Sequence, residues 1–221
     1  MKLPNEVPVM TLPNATLFPQ ALLPLYIFEP KYRQMLVDAL NTDRMFSVAM
    51  QKPGRTRETP SPVAGLGLIR VSVGHRDGTS HLVLQGIARV ELVETVRYKP
   101  YRVQKIRPLS SPPCNDVVVD ALLAKVRELL EERETLGLGF PPPVMSKSKP
   151  AEPLPGLSAK EVLQYLDKLT NPEQVADLVS CAVLAGSVER QTILETVNLE
   201  SRLKTLIHFL MAEIVRQRKD K

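Results

Sequence analysis

The spacing of apolar residues changes at Pro112-Pro113, and this change limits the possible folds more than any other feature of the sequence. Before the two prolines, apolar and polar residues alternate in short runs, which is typical of β-strands. After them, apolar residues recur with the period of one helix face. The sequence therefore predicts an α+β protein with a β domain over residues 1–110 and a helical subdomain over residues 111–221.

The first 110 residues predict about seven strands and one helix. The helix is predicted over residues 30–41, because Pro30 suits a first helical position and the apolar residues after it share a face. Asp77-Gly78 predicts a β-hairpin turn. Short strands at this spacing predict a small, mostly antiparallel barrel. The strands are predicted over residues 7–12, 22–28, 44–50, 66–73, 81–84, 87–96 and 101–109.

The second half predicts a bundle of helices interrupted by one loop. A first helix follows Pro113, and a capping box, Ser158-Ala-Lys-Glu161, starts another. Asn171-Pro172 and Asn198 are each predicted to cap a helix, with a short helix from Ser187 between these two. Residues 141–155 are rich in proline and have no apolar period, so they predict a flexible or extended Pro-rich loop.

The composition excludes several classes of protein. No apolar run approaches the roughly 18 residues that a membrane-spanning helix needs. The first residues carry prolines and charges where a signal peptide has its apolar core. Cys114 and Cys181 are far apart in the sequence and form no paired motif. A reducing compartment suits them, so a cytoplasmic protein without a membrane segment is predicted.

The positive charge is concentrated in the first half of the chain. The whole chain carries a net charge of +5, and residues 1–110 contain fifteen Lys and Arg against eight Asp and Glu. A basic domain could favour an acidic partner such as RNA. However, the charges are scattered rather than grouped in a block, so a solvated sheet surface is the favoured interpretation.

No motif for catalysis, cofactor binding or metal binding is found. The sequence contains no GxxxxGK[ST] loop for nucleotide phosphates, no GxSxG and no HExxH. His75, His81 and His208 are expected to be isolated from one another and not to act as ligands. The sequence therefore predicts no catalytic residue, no cofactor and no metal ion.

Several segments resemble the amino-terminal substrate-binding domain of Lon proteases. In the first half these are the Leu-Phe-Pro turn at 17–19, the Pro-Leu strand before Pro30, and Gly86-x-x-Arg89. In the second half they are Asp177-Leu-Val, Ile193-Leu-Glu-Thr and Arg202-Leu-Lys. The resemblance implies a PUA-like β-barrel followed by a helical subdomain. Gln20 departs from the family, which usually has glycine there, so a positive φ is not predicted at this position.

The resemblance implies a non-catalytic module that binds polypeptide segments or acts as an adaptor. Lon proteases place ATPase and protease domains after this region, whereas this sequence ends there and is expected to act alone or with a protease complex. The expected contact residues are Phe28, Glu29, Lys31 and Arg33, at the junction of a strand and a helix. The alternatives are that Phe28 belongs to the core and that Glu29 only interacts with the dipole at the helix N-terminus.

Gly86 and Arg89 are expected to be structural, with Gly86 at a bulge.

Two alternatives to polypeptide binding remain open at this stage. RNA binding by a PUA-like barrel is the first alternative, although aromatic residues are only 5% of the chain and tryptophan is absent. An enzyme with an unrecognised site is the second.

Overall fold

The computed structural model describes residues 2–55, 57–139, 165 and 168–219. These residues contain six strands and five helices. The described residues form two units, one from residues 2–109 and one from residues 110–139 and 168–219. The first contains β1 (Glu6–Leu12), β2 (Leu22–Ile27), α1 (Pro30–Leu40), β3 (Met45–Met50), β4 (Val63–Gly74), β5 (Ser80–Arg97) and β6 (Val103–Leu109). The second contains α2 (Asp116–Thr135), α3 (Pro172–Val183), α4 (Ser187–Glu195) and α5 (Leu199–Lys219).

The six strands form one mixed sheet whose pairings make a closed circuit. β1 and β3 are parallel, and every other pair is antiparallel. The circuit runs from β5 through β4, β3, β1 and β6 and returns to β5. β2 lies outside the circuit and pairs with the first half of β5. The predicted α+β class is therefore confirmed.

The prediction of separate strands over residues 81–84 and 87–96 is wrong, because both lie in the single long strand β5. Gly86 does not end the strand. Instead the β4–β5 ladder shifts register there, so that Ala88 pairs with Leu66 and Gly86 pairs with Gly67. A Cβ atom at Gly86 would lie 2.0 Å from the carbonyl oxygen of Phe18. Glycine is therefore required for the close approach of the segment before β2 to this strand.

Apolar side chains are buried on both faces of β1 and β3. One cluster includes Met10, Phe46 and Val48 and packs against the helix residues Met35 and Leu36. The other cluster is formed by Val7, Val9, Met45, Ala49, Ala64, Leu66 and Val90. Side chains alternate between the two faces of a strand, so these short strands contribute to two apolar layers.

The turn before β2 contains a residue in the left-handed region that is not glycine. Gln20 has a φ of 66°, although the sequence did not predict a positive φ there. Its N–H donates to the carbonyl oxygen of Gly86 at 2.9 Å, and the N–H of Ala21 donates to that of Phe18 at 3.2 Å. These two hydrogen bonds hold the turn in a conformation that glycine would adopt without strain.

The helices of the second unit begin largely where their caps predict. Asn171 accepts hydrogen bonds from the N–H groups of Glu173 and Gln174, and Pro172 occupies the first turn of α3. Asn198 accepts from the N–H of Ser201 at the start of α5. The predicted Pro-rich loop at 141–155 and the capping box at 158–161 lie outside the described residues. None of the described helices is both long enough and apolar enough to cross a membrane.

Candidate functional site

The junction of β2 and α1 exposes the first of the predicted contact residues. The Phe28 side chain is 49% exposed although it is large and apolar. Its ring lies 5.8 Å from the ring of Tyr26, and Tyr26 in turn lies 4.7 Å from the imidazole of His81. A row of rings therefore runs from the end of β2 onto β5.

The expectation that the histidines are isolated is wrong for two of them. Nε2 of His75 and Nδ1 of His81 are 2.7 Å apart, so the two imidazoles share a hydrogen bond. The tight turn at Asp77-Gly78 joins β4 to β5 and brings the two residues onto one face. The hairpin itself was predicted, and the contact follows from its register, because Val73 pairs with His81 and His75 is two residues further along.

The outer side of β2, β5 and β4 carries an exposed apolar surface, which we call the outer apolar face. Paired residues of neighbouring strands share a face. Leu22, which is 62% exposed, therefore begins a row that continues along β2. Val83 is opposite Pro24 on one side and Val71 on the other. The outer apolar face comprises Leu22, Pro24, Tyr26, Phe28, Val71, Val73 and Val83.

Glu29 and Lys31 form a small ionic cluster beside this face. Glu29 is the N-cap residue of α1 but makes no side-chain hydrogen bond to the helix N–H groups. Lys31 Nζ lies 3.8 Å from a Glu29 carboxylate oxygen and donates to Glu58 Oε2 at 2.6 Å. Burial acts to lower the pKa of Lys31, but the hydrogen bond to Glu58 and the interactions with Tyr32 and the Glu58 charge together raise that pKa above its usual value. Lys31 is therefore held as a cation by Glu58 and Tyr32 together.

Arg33 lies against the hairpin turn between β4 and β5. A Cβ atom on Gly78 would meet the Arg33 guanidinium at 1.7 Å, and Gly78 has a φ of 80°. The left-handed backbone favours glycine at this position, whereas the guanidinium ends a flexible side chain that could move away from an added Cβ atom. The structure thus places the four expected contact residues around one junction, with Phe28 the most open of them to solvent.

Gly86 and Arg89, the two residues expected to be structural, lie in the middle of β5. Gly65 repeats the arrangement of Gly86 on β4, because a Cβ atom there would lie 1.9 Å from the Leu17 carbonyl oxygen. Arg89 is buried, and its backbone pairs with Gly65 on one side and Leu109 on the other. Gly65 and Gly86 thus allow the segment that leads into β2 to lie against β4 and β5.

A second polar cluster, which the sequence did not reveal, lines a shallow cleft of the first unit. The Tyr101 hydroxyl donates to Asp38 Oδ2 at 2.5 Å, and Gln34 Nε2 donates to Asp38 Oδ1 at 2.8 Å. The Arg97 guanidinium lies 4.8 Å from the centre of the Tyr101 ring. Asp38 and Tyr101 are far apart in the sequence, and neither belongs to a recognisable motif.

The protonation states of this cluster follow from its contacts. Burial, and then the hydrogen bond and charge of Asp38, raise the pKa of Tyr101 to about 12. The hydrogen bonds from Tyr101 and Gln34 lower the pKa of Asp38 below its usual value. Both oxygens of the Asp38 carboxylate thus already accept a hydrogen bond. The cluster fastens α1 to the segment between β5 and β6.

The elements and the exposed surface together define an α+β protein in which a strand-rich unit presents an apolar face beside a helix. Across residues 6–212, the chain matches the family model for the ATP-dependent protease La (LON) substrate-binding domain. The chain therefore belongs to the Lon substrate-binding domain family.

Curated relatives show the same relationship at the level of sequence. The Lon protease of Dictyoglomus thermophilum is 23% identical over 215 residues, which cover 96% of this chain and 25% of that protein. Lon protease 2 of Myxococcus xanthus is 27% identical over 216 residues, covering 94% and 24%. The Lon protease of Desulfovibrio desulfuricans is 28% identical over 218 residues, covering 96% and 23%. The chain thus spans about a quarter of the length of these relatives.

Solved structures share the fold. The N-terminal domain of a Mycobacterium avium complex Lon protease has a TM-score of 0.69 at 18% identity, covering 93% of this chain and 98% of its own. A Lon N-terminal domain protein from Xanthomonas campestris has a TM-score of 0.56 at 16% identity, covering 92% and 97%.

Proposed function

We propose that this protein is a non-catalytic module that binds exposed polypeptide segments of other proteins. The observation that supports this most directly is the outer apolar face, which includes the exposed side chains of Leu22 and Phe28 in a Lon substrate-binding domain. Contiguous apolar surface on a soluble protein is typical of an interaction site. Apolar burial contributes about 25 cal/mol per Å² removed from water, so an unfolded apolar segment gains from covering it.

We assign different roles to the four residues at the junction. Phe28 is proposed as the apolar anchor, because an aromatic ring supplies a large contact area with little conformational freedom to lose. Arg33 and Glu29 would form a polar rim beside it. Lys31 is proposed as a positioning residue, because its ion pair with Glu58 already occupies its ammonium group.

The proposal is tested by binding to a permanently unfolded protein, reduced and carboxymethylated α-lactalbumin, measured by fluorescence anisotropy. The variant Phe28→Ser is expected to bind about tenfold more weakly, because one buried aromatic anchor contributes on the order of 1.4 kcal/mol or more. The matched control is Val117→Ser, which changes a residue that is 78% exposed in the other unit and is expected to bind normally. Equal affinities of both variants and the unchanged protein would exclude the outer apolar face as the site.

We further propose that the closed circuit of strand pairings is a barrel of the PUA-like kind. The circuit from β5 through β4, β3, β1 and β6 supports this, because closure removes exposed strand edges.

We also propose a cytoplasmic location. Cys114 and Cys181 are both free thiols, and burial raises the pKa of Cys181, which keeps it protonated and unreactive.

RNA binding is the alternative function, and one exposed hairpin tip would be its site. Tyr98 is 68% exposed beside Lys99, and the Arg102 guanidinium lies 4.9 Å from the centre of its ring. Single-stranded nucleic acids stack on such rings, and their affinity falls steeply with salt. Salt-sensitive binding of a single-stranded RNA that is lost in Tyr98→Ala, together with no binding of unfolded protein, would favour this alternative.

A further inference from the structure

Among the described residues, none forms a strand on one side of the backbone of the edge strand β2. In the part of the chain that the structure describes, β2 has a single neighbouring strand, β5. Hydrogen-bonded and non-bonded pairs alternate along an antiparallel ladder. The Gly86 N–H donates to the Ala21 carbonyl oxygen at 2.9 Å, so these two opposed residues form a hydrogen-bonded pair. Along β2 the non-bonded positions are therefore Leu22, Pro24 and Tyr26. The backbone groups of these three residues point to the open side.

Pro24 supports this assignment independently. Proline has no N–H to donate, so in a sheet it is confined to positions where that group would face away from the ladder. Pro24 pairs with Val83 within an otherwise regular β2–β5 ladder. The open edge therefore offers the N–H groups of Leu22 and Tyr26 and the carbonyl oxygens of all three residues. The missing donor in the middle also discourages uncontrolled edge-to-edge aggregation.

The open edge borders the outer apolar face, so an added strand would contact both. Its backbone would pair with β2, and every second side chain would extend the row of Leu22 and Tyr26. An extended segment with alternating apolar residues fits this geometry. A helix does not, because its own backbone hydrogen bonds leave no groups to pair with an edge.

Two basic side chains, both on or next to β4, lie at the ends of the outer apolar face. Exposed Arg70 lies at one end, where its Nε donates to Gln85 Oε1, and exposed Arg76 lies in the hairpin turn at the other. The nearest carboxylate in that turn, Asp77, already accepts hydrogen bonds from the N–H and hydroxyl groups of Thr79. A bound segment whose acidic flanks reach across the outer apolar face towards β4 would be electrostatically complementary to these cations.

We propose that β2 captures its polypeptide partner by strand addition, taking an extended segment with alternating apolar residues and acidic flanks as a neighbour on its open edge. This inference rests on the proposed function and specifies how the same surface binds. Main-chain hydrogen bonds would supply affinity for many sequences, while the apolar side chains at alternate positions would supply selection.

The test uses a synthetic peptide in which valine and threonine alternate between glutamate flanks, and two N-methylated forms of it. One form is methylated on the valine nitrogens and the other on the threonine nitrogens. In an added strand, only one of these two sets of N–H groups faces β2. We expect one form to bind about tenfold more weakly than the unmodified peptide and the other to bind nearly as well, since each lost hydrogen bond weakens binding.

Two variants of the protein test the same contact from the other side. Tyr26→Pro removes the N–H that faces the open edge, whereas Tyr26→Val removes the ring and keeps the N–H. The proline variant is expected to bind the unmodified peptide several-fold more weakly than the valine variant, with melting curves checking that both remain folded. If Tyr26→Pro does not fold, the two methylated peptides still decide the question.

The outcomes separate this inference from the proposed function. Binding of carboxymethylated α-lactalbumin with equal effects of the two methylated peptides would overturn strand addition and leave the apolar binding site intact. No binding of either probe would overturn both proposals. Self-association that is lost in Tyr26→Pro, without peptide binding, would show that a second copy of this chain occupies the edge and would overturn the inference. A peptide with lysine flanks that binds more tightly would overturn the predicted acidic flanks.

Discussion

Arg202 Nη1 lies 3.1 Å from Asp177 Oδ1, and both side chains are almost completely buried, at 1% and 2% exposure. The guanidinium also donates through Nε to the Thr196 carbonyl oxygen at 2.9 Å and through Nη2 to that of Val197 at 2.7 Å. One side chain of α5 is thereby joined to α3 and to the segment that follows α4. Asp177 and Arg202 belong to two of the segments through which the sequence resembles Lon domains.

We predict that Arg202→Ala strongly destabilises the protein. Removal of one partner from a buried ion pair leaves the other charge uncompensated, which costs about 3–5 kcal/mol. The free energy of unfolding should be measured by urea denaturation. Lys204→Ala, which changes an exposed cation on the same helix, is expected to stay within about 0.5 kcal/mol of the unchanged protein. A loss below about 1 kcal/mol for Arg202→Ala would show that the pair is not important for stability.

A glycine at position 20 is predicted to stabilise the fold. Gln20 has a φ of 66°, where a side chain costs about 1–2 kcal/mol, although the greater freedom of glycine in the unfolded chain offsets part of this gain. We expect Gln20→Gly to raise the melting temperature by a few degrees, and Gln20→Val to lower it because a β-branched residue tolerates positive φ poorly. A higher melting temperature for the valine variant than for the glycine variant would contradict this explanation.

The stability of the first unit is predicted to fall in strong alkali because of Tyr101. Its pKa is raised from about 10 in the unfolded chain to about 12 in the folded protein. The folded state therefore holds the proton more tightly, and this contribution is fully present below pH 10 and lost as the pH rises towards 12. Chemical denaturation across this range should show a shallower decline for Tyr101→Phe. An equal decline in both proteins would show that Tyr101 is not responsible.

Asp38 gives a complementary test of the same hydrogen bond. Asp38→Asn removes the carboxylate that helps to raise the pKa of Tyr101, so the phenol should titrate at lower pH in ultraviolet absorbance measurements. In the unchanged protein the lowered pKa of Asp38 affects stability at acid pH, whereas the raised pKa of Tyr101 affects it at alkaline pH. Its stabilising contribution is present above the pKa of an unfolded aspartate and is lost as the pH falls through the lower folded value.

We predict that the protein alone neither hydrolyses ATP nor cleaves peptides. The sequence has no glycine-rich loop with the lysine that holds nucleotide phosphates, and no GxSxG or HExxH motif. Phosphate release and cleavage of a fluorogenic casein should remain at background while a full-length Lon protease is active in parallel assays. Turnover that disappears when one residue of this chain is changed would refute the prediction.

Local sequence signals predicted the features that depend on few residues. Asn171-Pro172 and Asn198 marked the starts of their helices, and Asp77-Gly78 marked the hairpin, because caps and tight turns are determined by short-range chemistry. Gly86 was less easily interpreted. The bounds of the predicted strands broke the chain at Gly86, although a bulge was expected there; β5 instead continues through this residue, and its ladder with β4 shifts register between Gly86 and Ala88.

The contacts that the sequence did not predict depend on the assembled sheet. Asp38 and Tyr101 are brought together only when α1 packs beside the segment before β6. The positive φ of Gln20 is imposed by its hydrogen bond to Gly86, which overrides the local preference of glutamine. The outer apolar face could be found only from the pairing of β2, β5 and β4, because each strand contributes few of its residues.

The pairings of β5 determine the order in which the sheet can open. This strand pairs with β4 along most of its length, with β2 over its first half and with β6 over its second half. Release of β2 breaks one ladder and leaves the closed circuit intact, whereas release of β5 breaks three. In native-state hydrogen exchange, the amides of β2 that bond to β5 should therefore exchange through local fluctuations, and those at the centre of β5 only through global unfolding. The strand proposed to capture partners could thus loosen and re-form without loss of the scaffold behind it.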